Sequence, residues 1–222
     1  MVSHAKVVIF LQKQIYMKRI FTILALAAST IGMQAQSLEQ FFCSTPDSIQ
    51  PYIKKLDREA LVLSIDRTKK DTLATMTIAM GGDITITHLT PQLIVFHPSR
   101  VLTMEYAKLP SEGDSVYCVI STYKAPEAES YVKIYDKDWK LLSLLDVSDK
   151  AKLARPDTIS EARFEEIIHT QDIKMTVANI DKNDSQTLNV QFSMPMMDSE
   201  EKKEFLPVNL QTSLKWDGKT FN

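Results

Sequence analysis

Beyond residue 35 the chain carries three histidines, His88, His97 and His169, and two cysteines, Cys43 and Cys118. A zinc centre needs several such side chains at short, regular spacings, and none of these five has a partner at such a spacing. Cys118 would need a basic partner to act as a nucleophile, and its neighbours Tyr117 and Val119 point instead to a core strand. His88 follows Ile84 and Ile86 at strand spacing and reads as a half-buried strand residue, while His97 precedes Pro98 at a turn. Asp136-Lys137-Asp138 and Asp181-Lys182-Asn183-Asp184 offer oxygens in short loops. Neither has the glycine or the terminal glutamate of a calcium loop, so both read as plain turns. The adjacent pairs Glu165-Glu166 and Glu200-Glu201 diverge on a helix and meet solvent. There is no nucleophile elbow, phosphate loop or dinucleotide fingerprint. The residues therefore predict no catalytic site, no metal site and no cofactor.

The aromatic residues stand out more. Tyr117, Tyr123, Tyr131, Tyr135 and Trp139 fall on three successive predicted strands. Tyr131 and Tyr135 share a face, with Lys133 between them. One reading is cross-strand packing beneath a helix. The other is an open surface, Tyr131, Lys133 and Tyr135, that binds a peptide or glycan. A lysine is rarely buried without a partner, so Lys133 favours a face at least partly open, with Val132 and Ile134 on the core side.

The elements that must position these residues show in the periodicity. Thr45-Pro46-Asp47 is a strong helix opening, with Ile49, Tyr52, Ile53 and Leu56 as its apolar stripe. Residues 57–67 read as a second helix or equally as a buried strand. From Thr72 the period becomes two: Met76, Ile78 and Met80, then a turn at Gly81-Gly82, then Ile84 and Ile86. Residues 93–96, 102–106, 116–123, 131–135 and 139–145 read as further strands, with turns at Pro98-Ser99, at 111–114 and at Pro126-Glu127. The strand from Val116 is apolar on both faces, so both must be covered. Thr158-Ile159-Ser160-Glu161 has a capping-box pattern ahead of a helix facing inward through Phe164, Ile167 and Ile168. A hairpin follows, with Ile173, Met175 and Val177 on one strand and Leu188, Val190 and Phe192 on the other, turning at 181–184. A short helix opens at 198–201 and stops before Pro207. Val208, Leu210, Thr212, Leu214 and Trp216 alternate in a last strand that directs Leu210, Leu214 and Trp216 to the core. Short links between strands imply antiparallel neighbours. The expected class is α+β, a mainly antiparallel sheet with a few helices packed on one face.

Residues 1–35 read differently. Met17-Lys18-Arg19 starts a basic stretch, residues 20–32 carry no charge, and Met33-Gln34-Ala35 ends on a small residue. This is the layout of a secretory signal peptide, too short in its apolar part to span a bilayer. Met17 is the expected start, residues 1–16 an upstream extension, and Gln36 the approximate first mature residue. Residues 36–222 are expected as one domain, with two related sub-halves near 36–150 and 151–222 left open because no residue-level repeat supports them. No later stretch reads as transmembrane. Residues 1–35 hold four basic residues and no acid, which leaves 22 basic and 28 acidic residues and a net charge of −6 beyond them. That acidity argues against nucleic acid and against an electrostatic grip on anionic lipid. Export permits a Cys43–Cys118 bridge, though two buried thiols fit the sequence as well.

Several segments, in order, carry a resemblance. Phe41-Phe42 with Thr45-Pro46-Asp47-Ser48-Ile49, then Leu56-Asp57-Arg58, resembles the opening of an uncharacterised exported family of Bacteroidetes, domain of unknown function 3256. Gly113-Asp114-Ser115-Val116-Tyr117-Cys118-Val119 and Tyr135-Asp136-Lys137-Asp138-Trp139-Lys140 resemble its middle strands, and Lys215-Trp216-Asp217-Gly218-Lys219-Thr220-Phe221 its ending. Lys124-Ala125-Pro126 departs from it in lacking a cysteine. The resemblance implies export into a Gram-negative envelope, periplasmic or extracellular, and no functional residue. The leading expectation is a non-enzymatic envelope protein that binds a protein or peptide through sheet and loops. A structural or assembly factor of an outer-membrane complex is the second, and a hydrolase with an unrecognised site the third.

Overall fold

The computed structural model describes residues 36–222 apart from Tyr52, Ala79, Met80, Ala125, Pro126 and residues 170–174 and 194–198. The signal-peptide reading and the roles given to Tyr52, Met80, Pro126, Ile173 and Asp198 lie outside the described residues. Helix α1 (Leu38–Cys43) opens on a capping box: Gln40 N donates to Ser37 Oγ, and Ser37 N to Gln40 Oε1. The helix expected after Pro46 makes a single turn, in which Ile49 N and Gln50 N both donate to Pro46 O. Pro51 ends it, because proline lacks the N–H and disfavours helical geometry at Gln50. Leu56, assigned to that helix's apolar stripe, is 75% exposed. Helix α2 (Lys55–Leu63) settles the ambiguous stretch as helix and buries Arg58 and Leu61.

Seven strands follow: β1 (Ala74–Thr77), β2 (Asp83–Leu89), β3 (Leu93–Ser99), β4 (Leu102–Pro110), β5 (Ser115–Tyr123), β6 (Glu129–Tyr135) and β7 (Leu141–Leu145). They form one sheet in sequence order, each strand antiparallel to the next. Gly81 and Gly82 take φ of 84° and 101° in the first turn, a region that strains residues with a Cβ. Trp139 was expected to start β7. It instead adopts φ 64° in a turn where Asp136 Oδ1 accepts from Asp138 N and Lys140 N.

The sheet is covered on both faces rather than one. Ile86, Phe96, Tyr106 and Tyr117 bury one face against Phe41, Phe42 and Leu61 of α1 and α2. Val95, Leu109, Ile120 and Ile134 bury the other against the C-terminal residues. Those residues form β8 (Lys152–Leu153), α3 (Glu161–His169), β9 (Thr176–Ile180), β10 (Thr187–Phe192), α4 (Ser199–Phe205), β11 (Asn209–Leu210) and β12 (Thr212–Lys215). Strands β12, β10 and β9 make a second sheet, and β11 pairs with β8. Ser160, two residues after the expected cap, accepts from Arg163 N at the start of α3. One apolar cluster draws on residues from both 36–150 and 151–222.

Two faces differ from expectation. In β9 the buried residues are Thr176, Ala178 and Ile180, and Val177 is only half-buried. Leu210 is 43% exposed, while Leu214 and Trp216 are buried. Its strand changes partner at Gln211, from β8 to β10, and alternation fixes a side only relative to one sheet. The cysteines are both free. Cys118 lies in the cluster on one face of the sheet and Cys43 against the cluster on the other, so the sheet separates them.

Candidate functional site

Strands β5 and β6 carry the four tyrosines of the aromatic set, which divide between two ends of one sheet face, and Trp139 lies in the turn after β6. Tyr117 and Tyr135 are buried. Phe41 from α1 stacks between Tyr117 and Trp139, with ring centroids at 3.8 and 3.9 Å. Trp139 also tilts against Tyr135 at 5.3 Å and donates Nε1–H to Ser44 Oγ. The positive φ at Trp139 folds its ring back over the sheet and closes this end. Tyr135 therefore does not belong to an open surface, and the expected set Tyr131, Lys133, Tyr135 is split by the cover of α1.

The other end stays open. Tyr123 and Tyr131 are 49% and 44% exposed and meet edge to face at 6.0 Å. Tyr131 Oη donates to Glu129 Oε2, and Lys133 is half-buried beside them. Val132 and Ile134 face the opposite, fully covered side. Tyr123 also forms one wall of an apolar groove of about 380 Å³, completed by Ile49, Pro51, Val101, Leu102 and Met104. The groove exists because the turn at Pro46–Gln50, which Pro51 prevents from becoming a helix, leaves the sheet beside it uncovered. Arg100 and Lys124, exposed and next in sequence to groove residues, put positive charge at this end. Periodicity could group the tyrosines, but the groove residues lie far apart in sequence and carried no shared signal.

The titratable residues serve the fold. His97 lies within β3 rather than at a turn, where Nε2 pairs with Thr87 Oγ1 and Nδ1 with Thr103 Oγ1. Burial, then the charges of Lys124 and Lys182, lowers its pKa. His88 is half-buried in β2, as expected, and burial lowers its pKa too. His169 is exposed and 3.8 Å from Glu165. Asp181 and Asp184 accept N–H groups of their own turn, and Asp184 also pairs with Lys215. Among the described residues no three His, Cys, Asp or Glu side chains group as a metal site would.

Sequence reading missed Glu105. It sits in β4, a strand buried on both faces, and a charged residue in such a run was the available signal. Its Oε2 accepts Ile180 N at 2.7 Å, and Ser130 Oγ accepts Ala178 N, so two side chains of the large sheet satisfy the outer edge of β9. Burial raises the Glu105 pKa to about 7, against the opposing pull of the Ile180 N–H and Lys182. A carboxyl group with a raised folded-state pKa favours the fold while protonated. Its contribution is full below the unfolded value near 4.5 and is lost as pH rises toward 7. Glu105→Gln keeps the acceptor and cannot ionise. It should match wild type near pH 4.5 and exceed its stability at pH 8 by about 3–4 kcal/mol, from about 1.4 kcal/mol per unit over the rise from 4.5 to about 7. Urea titrations at both pH values check this, and a gap that does not depend on pH would remove the ionisation argument.

The family model DUF3256, described as a protein of unknown function, matches residues 30–221. No curated protein matches the chain. The chain is similar to a solved domain of an uncharacterized protein from Porphyromonas gingivalis W83, at 24% identity and a TM-score of 0.63, over 85% of this chain and 99% of that domain. At that identity the likeness concerns the fold alone, which it shares as an α+β architecture.

Proposed function

Because the chain belongs to the DUF3256 family of proteins of unknown function, we propose its role from its surface: an exported, non-enzymatic module of the cell envelope, periplasmic or extracellular, that holds a peptide segment of another envelope protein. The observation that carries this reading is Tyr123, half exposed and shared between the apolar groove and the Tyr131 ring. Exposed tyrosines beside an apolar pocket are strong anchors, since they bury much area at little entropy cost. The sheet beneath is paired on both sides of β5, which fixes the backbone that carries the rings before binding. Arg100, Lys124 and Lys133 select a segment whose apolar side chain is flanked by acidic residues. Export rests on the basic start and uncharged run before Gln36. No described helix is long and apolar enough to cross a membrane.

The test uses protein isolated from the envelope, whose N-terminus mass spectrometry should place within a few residues of Gln36. Fluorescent peptides with a Leu or Phe anchor between glutamates should bind at micromolar concentration, and lysine-flanked versions should bind less. Tyr123→Ala should weaken capture about tenfold, with unfolding unchanged because the ring is half exposed. The reading fails if no peptide of the set binds, or if capture ignores the loss of Tyr123. An intact Met17 start would remove the export part of it.

A further inference from the structure

We propose that the free edge of β7 pairs with the same edge of a second copy, joining two seven-stranded sheets into one around a two-fold axis through Ser143. Strand β7 is the last of the large sheet, and its outer edge bonds to no backbone group among the described residues. Such an edge is a template for another strand, and proteins commonly protect it with charge, proline or a bulge. β7 has one irregularity, an extra residue at Leu142 where its register with β6 shifts, but its edge is apolar: Leu141, Leu142 and Leu144 are 50%, 50% and 61% exposed.

What singles out a second copy is the order of residues from 140 to 146, Lys-Leu-Leu-Ser-Leu-Leu-Asp. Read backwards it is the same apolar pattern with opposite charge at its ends. An antiparallel copy centred on Ser143 sets Leu141 opposite Leu145, Leu142 opposite Leu144, and Lys140 opposite Asp146, twice over. Leu142 and Leu144 then share a face, as cross-strand pairs require. Moving the axis by one residue sets Lys140 against Leu144 and loses both ion pairs, so charge and apolar match select the same register. Lys140 and Asp146 are both exposed. Lys140 has no ion pair among the described residues. Asp146 uses Oδ1 on Ser148 and keeps Oδ2 for a partner. A two-fold contact of this kind closes on itself, so the edge is consumed instead of propagating into a fibre. The contact is short and its ion pairs lie at the rim, so the dimer should be modest in affinity and weaken with salt.

Analytical ultracentrifugation of the purified protein over a range of concentrations tests this. A monomer–dimer equilibrium is expected. Lys140→Glu or Asp146→Lys alone should raise the dissociation constant at least about tenfold, and the two together should restore it. Ser143→Cys supplies a readout that tolerates a local defect at Asp146. Mild oxidation should cross-link it into a covalent dimer, while Leu141→Cys and the wild-type chain should not cross-link. A monomer at every concentration overturns the proposal. So does a dimer indifferent to the charge swaps, growth into larger ladders, or an edge that pairs only with a strand of another protein.

Discussion

Arg58→Ala should destabilise the protein by about 4–5 kcal/mol, a large part of the 5–15 kcal/mol that holds a typical domain together. The Arg58 side chain is buried to 1% exposure and bonds to no carboxylate among the described residues. It donates to the backbone carbonyls of Cys43, Thr45 and Ile53 and to Gln50 Oε1. Gln50 Nε2 in turn donates to Tyr106 Oη in the sheet. One guanidinium thus gathers the non-helical stretch between α1 and α2 and ties it to β4. Only the planar fork of arginine supplies donors in so many directions. Removing it leaves the buried carbonyls of Thr45 and Ile53 and the part-buried carbonyl of Cys43 without this donor, and a cavity beneath α1. Arg58→Lys should recover less than half of the loss, because one ammonium cannot reach the same set of acceptors. Guanidinium denaturation measures both. A loss below about 1 kcal/mol for Arg58→Ala, the size of an ordinary substitution, would mean that the carbonyls find other partners.

Trp216→Ala should cost about 3–5 kcal/mol, as for aromatic truncations in cores. Trp216 is 8% exposed, packs edge-on against Phe221 at 5.1 Å, and donates Nε1–H to Pro110 O at 2.6 Å. Ser111 Oγ donates to Gly218 O beside it. These contacts fasten the end of the C-terminal strand to the end of β4, so the variant loses packing and a bond between two sheets. Gln211→Ala, exposed at the change of sheet, should alter stability by less than about 0.5 kcal/mol. The comparison of the two in chemical denaturation tests the register, since equal losses would place the wrong residues in the core.

Much of the fold was legible because it is local. Alternation or a short apolar run marked each strand of the large sheet, Gly81-Gly82 marked a turn whose positive φ values few other residues accept, and residues 181–184 marked one through short polar side chains that bond their own backbone. Cys118, flanked by apolar residues on both sides, was legible as core for the same reason. The candidate site was legible only in part. Tyr131 sits where the strand pattern left it exposed, whereas Tyr135 has the same spacing and sign and is buried.

Alternate positions in a strand lie on opposite sides of the backbone, and that much the residues determined by themselves. Which side is covered depends on chain that arrives from elsewhere. Phe41 comes from α1 to stack on Trp139, the ring that covers Tyr135, and Pro51 and Arg58 keep the following segment from extending that cover to Tyr123. Glu105 is bonded because β9, 75 residues later, brings Ile180 N to it. Leu210 is exposed because its strand leaves one sheet for another. Each of these outcomes turns on a contact between residues distant in sequence, whose energy appears only once the intervening chain has folded, and no local period carries it.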